Sequence, residues 1–313
     1  MSVFKHALRL RQIPADVRTG SWARYTACHM YSLIGAHRAR GGFVSCGLLV
    51  VLLTAAWPAE AFGPITHAYI AMQVFPDAPP SALFGAMAAD MNDFDGWNNK
   101  LGSRFKHFTH AGADRLPPSP FQWGLLTHNS SWGADSYAHA YFHLPTEKLY
   151  PLRLYEQLSR DTAISMNDAE DVIETILDYV ICRDLGSAFI HRIAEAADAV
   201  GPAEEQALID AFAEPLSQEV PELTRDRAAD SIRMMFQCDK TFLKGMAELM
   251  ALPGTSLLAT APVLLAAGLN MNPALASRCV QRAVELCADW RVHLDEISRE
   301  IAAHMQLLHR IGK

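Results

Sequence analysis

GLLTHNSSWGADSYAHAYFH, residues 124–143, sets His128, Asp135 and His139 among leucines and alanines. At about 100° per residue, Asp135 falls about 20° short of the azimuth of His128 and His139 about 20° beyond it, so one continuous helix would present all three on one face. Leu125, Leu126, Ala134 and Ala138 beside them argue that this face turns inward. There, bare ionisable groups need a metal or hydrogen-bonding partners. A solvated polar stripe is the competing reading, and Asp and His among Leu and Ala make a poor one.

The helical pattern extends in both directions from this stretch. THAYIAMQVF and PSALFGAMAADM are apolar with little β-branching. Asn167 and Glu170 have the spacing of a capping box opening DVIETILDYVI. Gly201-Pro202, Pro253-Gly254 and Asn272-Pro273 punctuate the later segments, and the apolar spacing from Pro273 to about His309 predicts one long helix. Neither strand alternation nor an Asn-Gly hairpin signal competes. The expected fold is all-α, a single multi-helix bundle. Residues 92–120, rich in Asn, Gly, Pro and aromatics, read as a long functional loop. Residues 256–269, interrupted by Pro262, read as core or as a lid rather than a membrane span.

The front of the chain reads as an export leader. Lys5, Arg9, Arg11, Arg18, Arg24, Arg38 and Arg40 precede the apolar FVSCGLLVVLLTAAW, and Ala59-Glu60-Ala61 carries small residues where a signal peptidase cuts. Met30 is an alternative start that would leave a leader of ordinary length. Residues 1–61 are therefore expected to be removed, leaving a secreted or periplasmic helical domain, 62–313, with Phe62 first. That segment holds 20 Lys and Arg against 32 Asp and Glu, a net of −12. So acidic a chain is a poor polyanion binder, which makes nucleic acid an unlikely partner. Cys182, Cys238, Cys279 and Cys287 lie in it, none in a CxxC pair, and disulfides among them suit an oxidising compartment.

Histidines concentrate in the first half of that segment: His67, His107, His110, His128, His139 and His143 fall within 77 residues, interleaved with aspartates, as in metal sites. Farther on, Glu170, Glu174 and Asp178 recur at i+4 with no Lys or Arg at the same spacing, a repulsive stack that a nearby cation would relieve. Glu170 has a rival role in the capping box. His191 and Glu195, also i, i+4, compete with Glu174 and Asp178 as a ligand pair.

With these residues in view, the chain resembles the zinc-dependent phospholipase C and S1/P1 nuclease superfamily, and its phospholipase C branch more closely. In that family the mature N-terminal residue, usually tryptophan in a WGxxGH stretch, binds zinc through its free amine and carbonyl; FGPITH reproduces the spacing with Phe62 and His67. The resemblance further implies Asp90 in FGAMAAD as a ligand, then His107 in KHF, with His110 as its competitor, and then His128, Asp135 and His139. Six residues separate His128 from Asp135 where the family has three. The family's last pair, His-x3-Glu or His-x3-Asp, is matched in spacing by Glu174 and Asp178, which are preferred here to His191 and Glu195. The resemblance covers residues 62 to about 180 and implies two or three Zn²⁺ ions, a bundle of the family's type, and hydrolysis of a phospholipid or other phosphodiester with Asp90 or Asp135 handling the proton. Contact with a membrane surface would follow, and Phe94, Trp97, Phe105 and Phe108 are candidates to contact acyl chains or a headgroup, with packing within the loop the preferred role for any one of them. A noncatalytic metal-binding helical protein and a nuclease are the alternatives.

Overall fold

The computed structural model of the chain describes residues 62–94, 101–139, 150–220, 222–251, 261–262, 265–266 and 269–311. The expected leader and Trp97 lie outside them, as does the side chain of Phe94. Twelve α-helices and two 3₁₀ segments, with no strand, make up the described residues: the chain is all-α. In order they are α1 Pro64–Val74, α2 Pro80–Met87, a 3₁₀ segment Ala88–Phe94, α3 Gly102–Ala111, a 3₁₀ turn Ala113–Arg115, α4 Pro120–His128, α5 Ala134–His139, α6 Tyr150–Thr162, α7 Met166–Leu185, α8 Ser187–Ala199, α9 Pro202–Glu219, α10 Arg225–Met250, α11 Pro273–Leu286 and α12 Trp290–Ile311. Helices α1, α2, α4, α9 and α11 each start on proline, whose missing N–H would have had no intrahelical partner. No helix among the described residues is long and apolar enough to cross a membrane.

The tightest crossing joins α2 to α4. A Cβ on Gly124 would lie 1.9 Å from the Ala82 carbonyl oxygen, and one on Gly85 would lie 2.1 Å from that of Phe121. Only two glycines let these backbones approach so closely. α8 and α1 flank α2, α7 packs on α6, α11 and α1, and α10 covers the 3₁₀ segment. α12 closes the bundle against α1 and α5. Tyr69 of α1 donates to Asp295 and Tyr137 of α5 donates to Glu300 at 2.6 Å, so two hydroxyls from one side of the bundle meet two carboxylates of α12.

Four expectations change. The segment expected as one helix from Pro273 breaks after Leu286, where the Cys287 N–H closes α11 on Ala283, and resumes at Trp290. Helix α7 is capped by Ser165, which accepts from the Asp168 N–H at 3.0 Å, and not by an Asn167–Glu170 box. The 92–120 loop contains α3, and its Phe105 and Phe108 are core: both rings pack on Phe212, with centroids 6.1 and 5.6 Å apart. Their aromatic character is spent on burial. Cys182, Cys279 and Cys287 are free, buried thiols, so no disulfide forms among them.

Candidate metal centre

Six side chains from five segments converge where α1, α3, α4 and α5 meet the 3₁₀ segment. The end of α2 does much of the positioning. Its last carbonyls have no intrahelical donor. Ala86 O lies 3.3 Å from His128 Nδ1, and in the 3₁₀ segment that follows, Ala89 O takes the Thr109 hydroxyl at 2.8 Å. A carbonyl only accepts, so His128 carries its proton on Nδ1. The Thr109 hydrogen is committed to Ala89, so its oxygen accepts from His110 Nδ1 at 3.0 Å. In both rings Nε2 is left as a bare lone pair aimed inward. His67 bonds to the Phe62 backbone, stacks on His128 with centroids 3.9 Å apart, and leaves its own Nε2 without a hydrogen bond.

These lone pairs meet. His110 Nε2 stands 3.1 Å from His128 Nε2, a hydrogen-bond distance with no hydrogen to occupy it when both rings are neutral. Asp90 Oδ1 lies 3.3 Å from the first and 3.6 Å from the second; Asp135 Oδ1 lies 3.9 and 4.0 Å from the same pair. A tetrahedral zinc with bonds of about 2.0–2.2 Å spaces its ligands about 3.3–3.5 Å apart. These separations, from 3.1 to 4.0 Å, lie within about half an ångström of that spacing. His67, Asp90 and His128 form a second group sharing His128, and the donor atoms in each group of three lie within 4.8 Å of one another. Asp90 Oδ1 and both oxygens of Asp135 are buried without a hydrogen bond. The buried His/Asp groups could hold a metal ion.

The charge balance fits the same arrangement. Burial lowers His67 from its usual 6.5 to about 4, Asp90 opposing and His110 and His139 assisting. Burial, then His67, drives His128 well below its usual value. These two imidazoles are thus neutral, the form that ligates. Burial raises Asp135, with His110 and His139 countering only in part. It also resists ionisation of Asp90, but His128, His110 and His67 together prevail and hold that carboxyl below the usual carboxylate range.

His128, Asp135 and His139 do come together, but not on one continuous helix. The chain turns between Asn129 and Gly133, where the Asn129 side chain accepts from the Ser131 N–H at 2.8 Å and its carbonyl accepts from the Gly133 N–H at 2.7 Å. His128 reaches in from the end of α4, whereas Asp135 and His139 share α5 at i, i+4 and 3.3 Å. The six residues between His128 and Asp135 are accommodated by this turn. Of the two KHFTH histidines, His110 is in the cluster, whereas His107 is exposed on α3 and meets the Phe108 ring edge-on. Phe62 lies buried beside His67. The amine role expected of it depends on cleavage after Ala61, outside the described residues.

The acidic face of α7 divides three ways. Glu170, for which the capping box was a rival role, meets His139 Nδ1 at 3.3 Å and so turns His139 Nε2 toward Asp135. Its i+4 spacing was the signal. Glu174 is buried and accepts from Tyr155 Oη at 3.2 Å; burial, then Glu170, raises its carboxyl well above the usual range. Asp178 spends both oxygens on α1: Oδ2 accepts from the Ile65 N–H at 3.1 Å, and Oδ1 from the Thr66 N–H and hydroxyl at 2.9 and 2.7 Å. The expected pair of Glu174 and Asp178 thus has separate partners, Tyr155 for the first and the start of α1 for the second. Their competitors His191 and Glu195 are exposed on α8. Comparison with protein-family models, with curated proteins and with solved structures finds no match to this chain.

Proposed function

We propose that the chain is an exported, zinc-dependent phosphodiester hydrolase of phospholipase C type, built on the centre formed by His110, His128, Asp90 and Asp135, with His67 and His139 at its margins. One observation carries the metal: two imidazole lone pairs facing each other at 3.1 Å inside a shell that includes two carboxylates. Without a cation this contact is repulsive, and a proton shared between the rings would have to charge a buried histidine. A bound zinc ion supplies Lewis-acid polarisation of a phosphoryl oxygen and acidifies water.

The protein's own groups divide the remaining work. Asp90 is 20% exposed whereas Asp135 is buried, so Asp90 is the carboxylate that a substrate and its attacking water reach first and the one that accepts the water's proton. Asp135 serves as a buried ligand. Glu170 orients His139 through Nδ1, the carboxylate–histidine pairing that fixes a ligating ring. The partly exposed edge formed by Asp90, His139 and Glu170 is the approach side. The resemblance of FGPITH and the aspartate–histidine order to the zinc-dependent phospholipase C family supports the phosphodiester class and the export leader. The acidic composition disfavours a nucleic acid substrate.

A second reading, a noncatalytic metal-binding protein, is favoured by the burial of His67, His110, His128 and Asp135 and by Phe105 and Phe108 being core instead of substrate contacts. One experiment separates the two: metal analysis of the purified protein, with hydrolysis of phosphatidylcholine and of single-stranded DNA measured side by side. Stoichiometric zinc with phosphatidylcholine cleavage, both lost in His128→Ala and kept in the exposed control Ser131→Ala, is the expected result. Zinc without hydrolysis leaves the noncatalytic reading, and a protein that takes up no metal overturns both.

A further inference from the structure

Asp178 is a carboxylate buried for a purpose that the metal ligands alone do not explain. It caps α1 from a distance of more than 110 residues along the chain. The position where α1 would carry its own cap is Gly63, which has no side chain to offer. Nor is there room for one: a Cβ there would lie 2.4 Å from Asp178 Oδ2. A local Ser or Asp would satisfy the same N–H groups at the surface, free of the cost of burying a charge. The remote carboxylate does something a local cap cannot, because it fixes the first turn of α1 relative to α7.

That turn carries His67. Thr66, which gives Asp178 two of its three hydrogen bonds, is the neighbouring residue, and the His67 N–H itself closes on the Gly63 carbonyl at 3.2 Å. The His67 ring has a single polar tether, to the Phe62 backbone, at the other end of the same turn. Its Nε2 stands 3.9 Å from Asp90 Oδ2, close enough to share an ion with it but without a hydrogen bond to hold it there. The placement of Nε2 therefore rests on the backbone of residues 62–66. That backbone rests on Asp178.

We propose that Asp178 is a positioning residue for the metal centre: by capping α1 through Ile65 and Thr66 it sets the approach of His67 to Asp90 and so completes the His67 side of the centre. This rests on the metal-centre reading above. The same helix then orients both margins of the site, His139 through Glu170 and His67 through Asp178, two turns apart on α7.

The test uses the full chain and zinc itself as the probe. Zinc affinity is measured by chelator competition, the absorption spectrum of the cobalt-substituted protein is recorded, and circular dichroism follows helix content and melting. Asp178→Asn, which keeps an acceptor, and Thr66→Val, which removes one bond and leaves the carboxylate in place, are compared with wild type and with His128→Ala. The expected result is a zinc affinity weakened by about 10-fold or more in Asp178→Asn, less in Thr66→Val, with an altered cobalt spectrum and retained helix content. Should Asp178→Asn fail to fold, Thr66→Val decides alone. Wild-type affinity and spectrum in the folded variants, with zinc binding lost in His128→Ala, would overturn the positioning role and leave the metal centre intact. If the wild-type chain binds no zinc, the metal-centre reading itself fails and takes this inference with it.

Discussion

His67 and Asp178 sit at opposite ends of one structural tie, and burial moves their proton affinities in opposite directions. Burial lowers His67 from 6.5 to about 4; the neutral ring therefore contributes stability that is present in full above pH 6.5 and lost as the pH falls to about 4. Burial raises Asp178 from 3.8 to about 7 despite its hydrogen bonds to Thr66 and Ile65, so its protonated form contributes stability present in full below pH 3.8 and lost as the pH rises to about 7. The two shifts correspond to upper limits of about 3 kcal/mol for His67 and about 4–5 kcal/mol for Asp178. In chelator-treated wild-type protein the two largely offset between pH 4 and 7, and urea unfolding should show a shallow profile there. Asp178→Asn, permanently neutral, removes the loss toward neutral pH, so its stability should rise from pH 4 to 7. His67→Gln should show the reverse slope. Parallel profiles for the two variants would mean that these groups are not the ones titrating.

Among the elements, the α2–α4 crossing and the helix breaks matter most. Gly85 and Gly124 bring two backbones together so that Ala86 O reaches His128, and a methyl group at either position has nowhere to go. Gly124→Ala should destabilise the protein by about 1–3 kcal/mol, through separation of the two helices. Because His128 rides on α4, the same variant should weaken zinc binding, whereas an alanine substitution at exposed Ser131 should do neither. Denaturant unfolding and chelator competition measure the two effects, and a stable Gly124→Ala protein with wild-type zinc affinity would contradict this reading. α12 supports the site from behind: Tyr69 lies two residues after His67 and Tyr137 two after Asp135, and each donates to an acid of α12 from the helix face opposite its ligand.

Across the whole molecule, the centre joins five segments held otherwise by packing and a few hydrogen bonds, so a bound ion would act as a cross-link that the unfolded chain lacks. Zinc at about a thousandfold excess over its dissociation constant should stabilise the fold by about 4 kcal/mol, and the melting temperature should fall when it is chelated. Calorimetry with and without chelator checks this; an unchanged melting temperature would place zinc outside the native structure. The all-α class was legible in the sequence because apolar period, proline starts and absent strand alternation are local properties. The density of His and Asp, and the inward turn of His128, Asp135 and His139, were legible for the same reason. The choice of His110 over His107 was not, since it depends on which side of α3 faces α4, and neither was the break at Asn129–Gly133, which trades one continuous helix for the packing of α5 on α6 and α12. Phe105 and Phe108 could not be assigned to core from their own segment, because Phe212 lies a hundred residues away. Glu170, Glu174 and Asp178 share one spacing and one face, and sequence treats them alike. Only the tertiary structure gives one to His139, one to Tyr155 and one to the start of α1, because a carboxylate's role is set by the donor that packing brings to it.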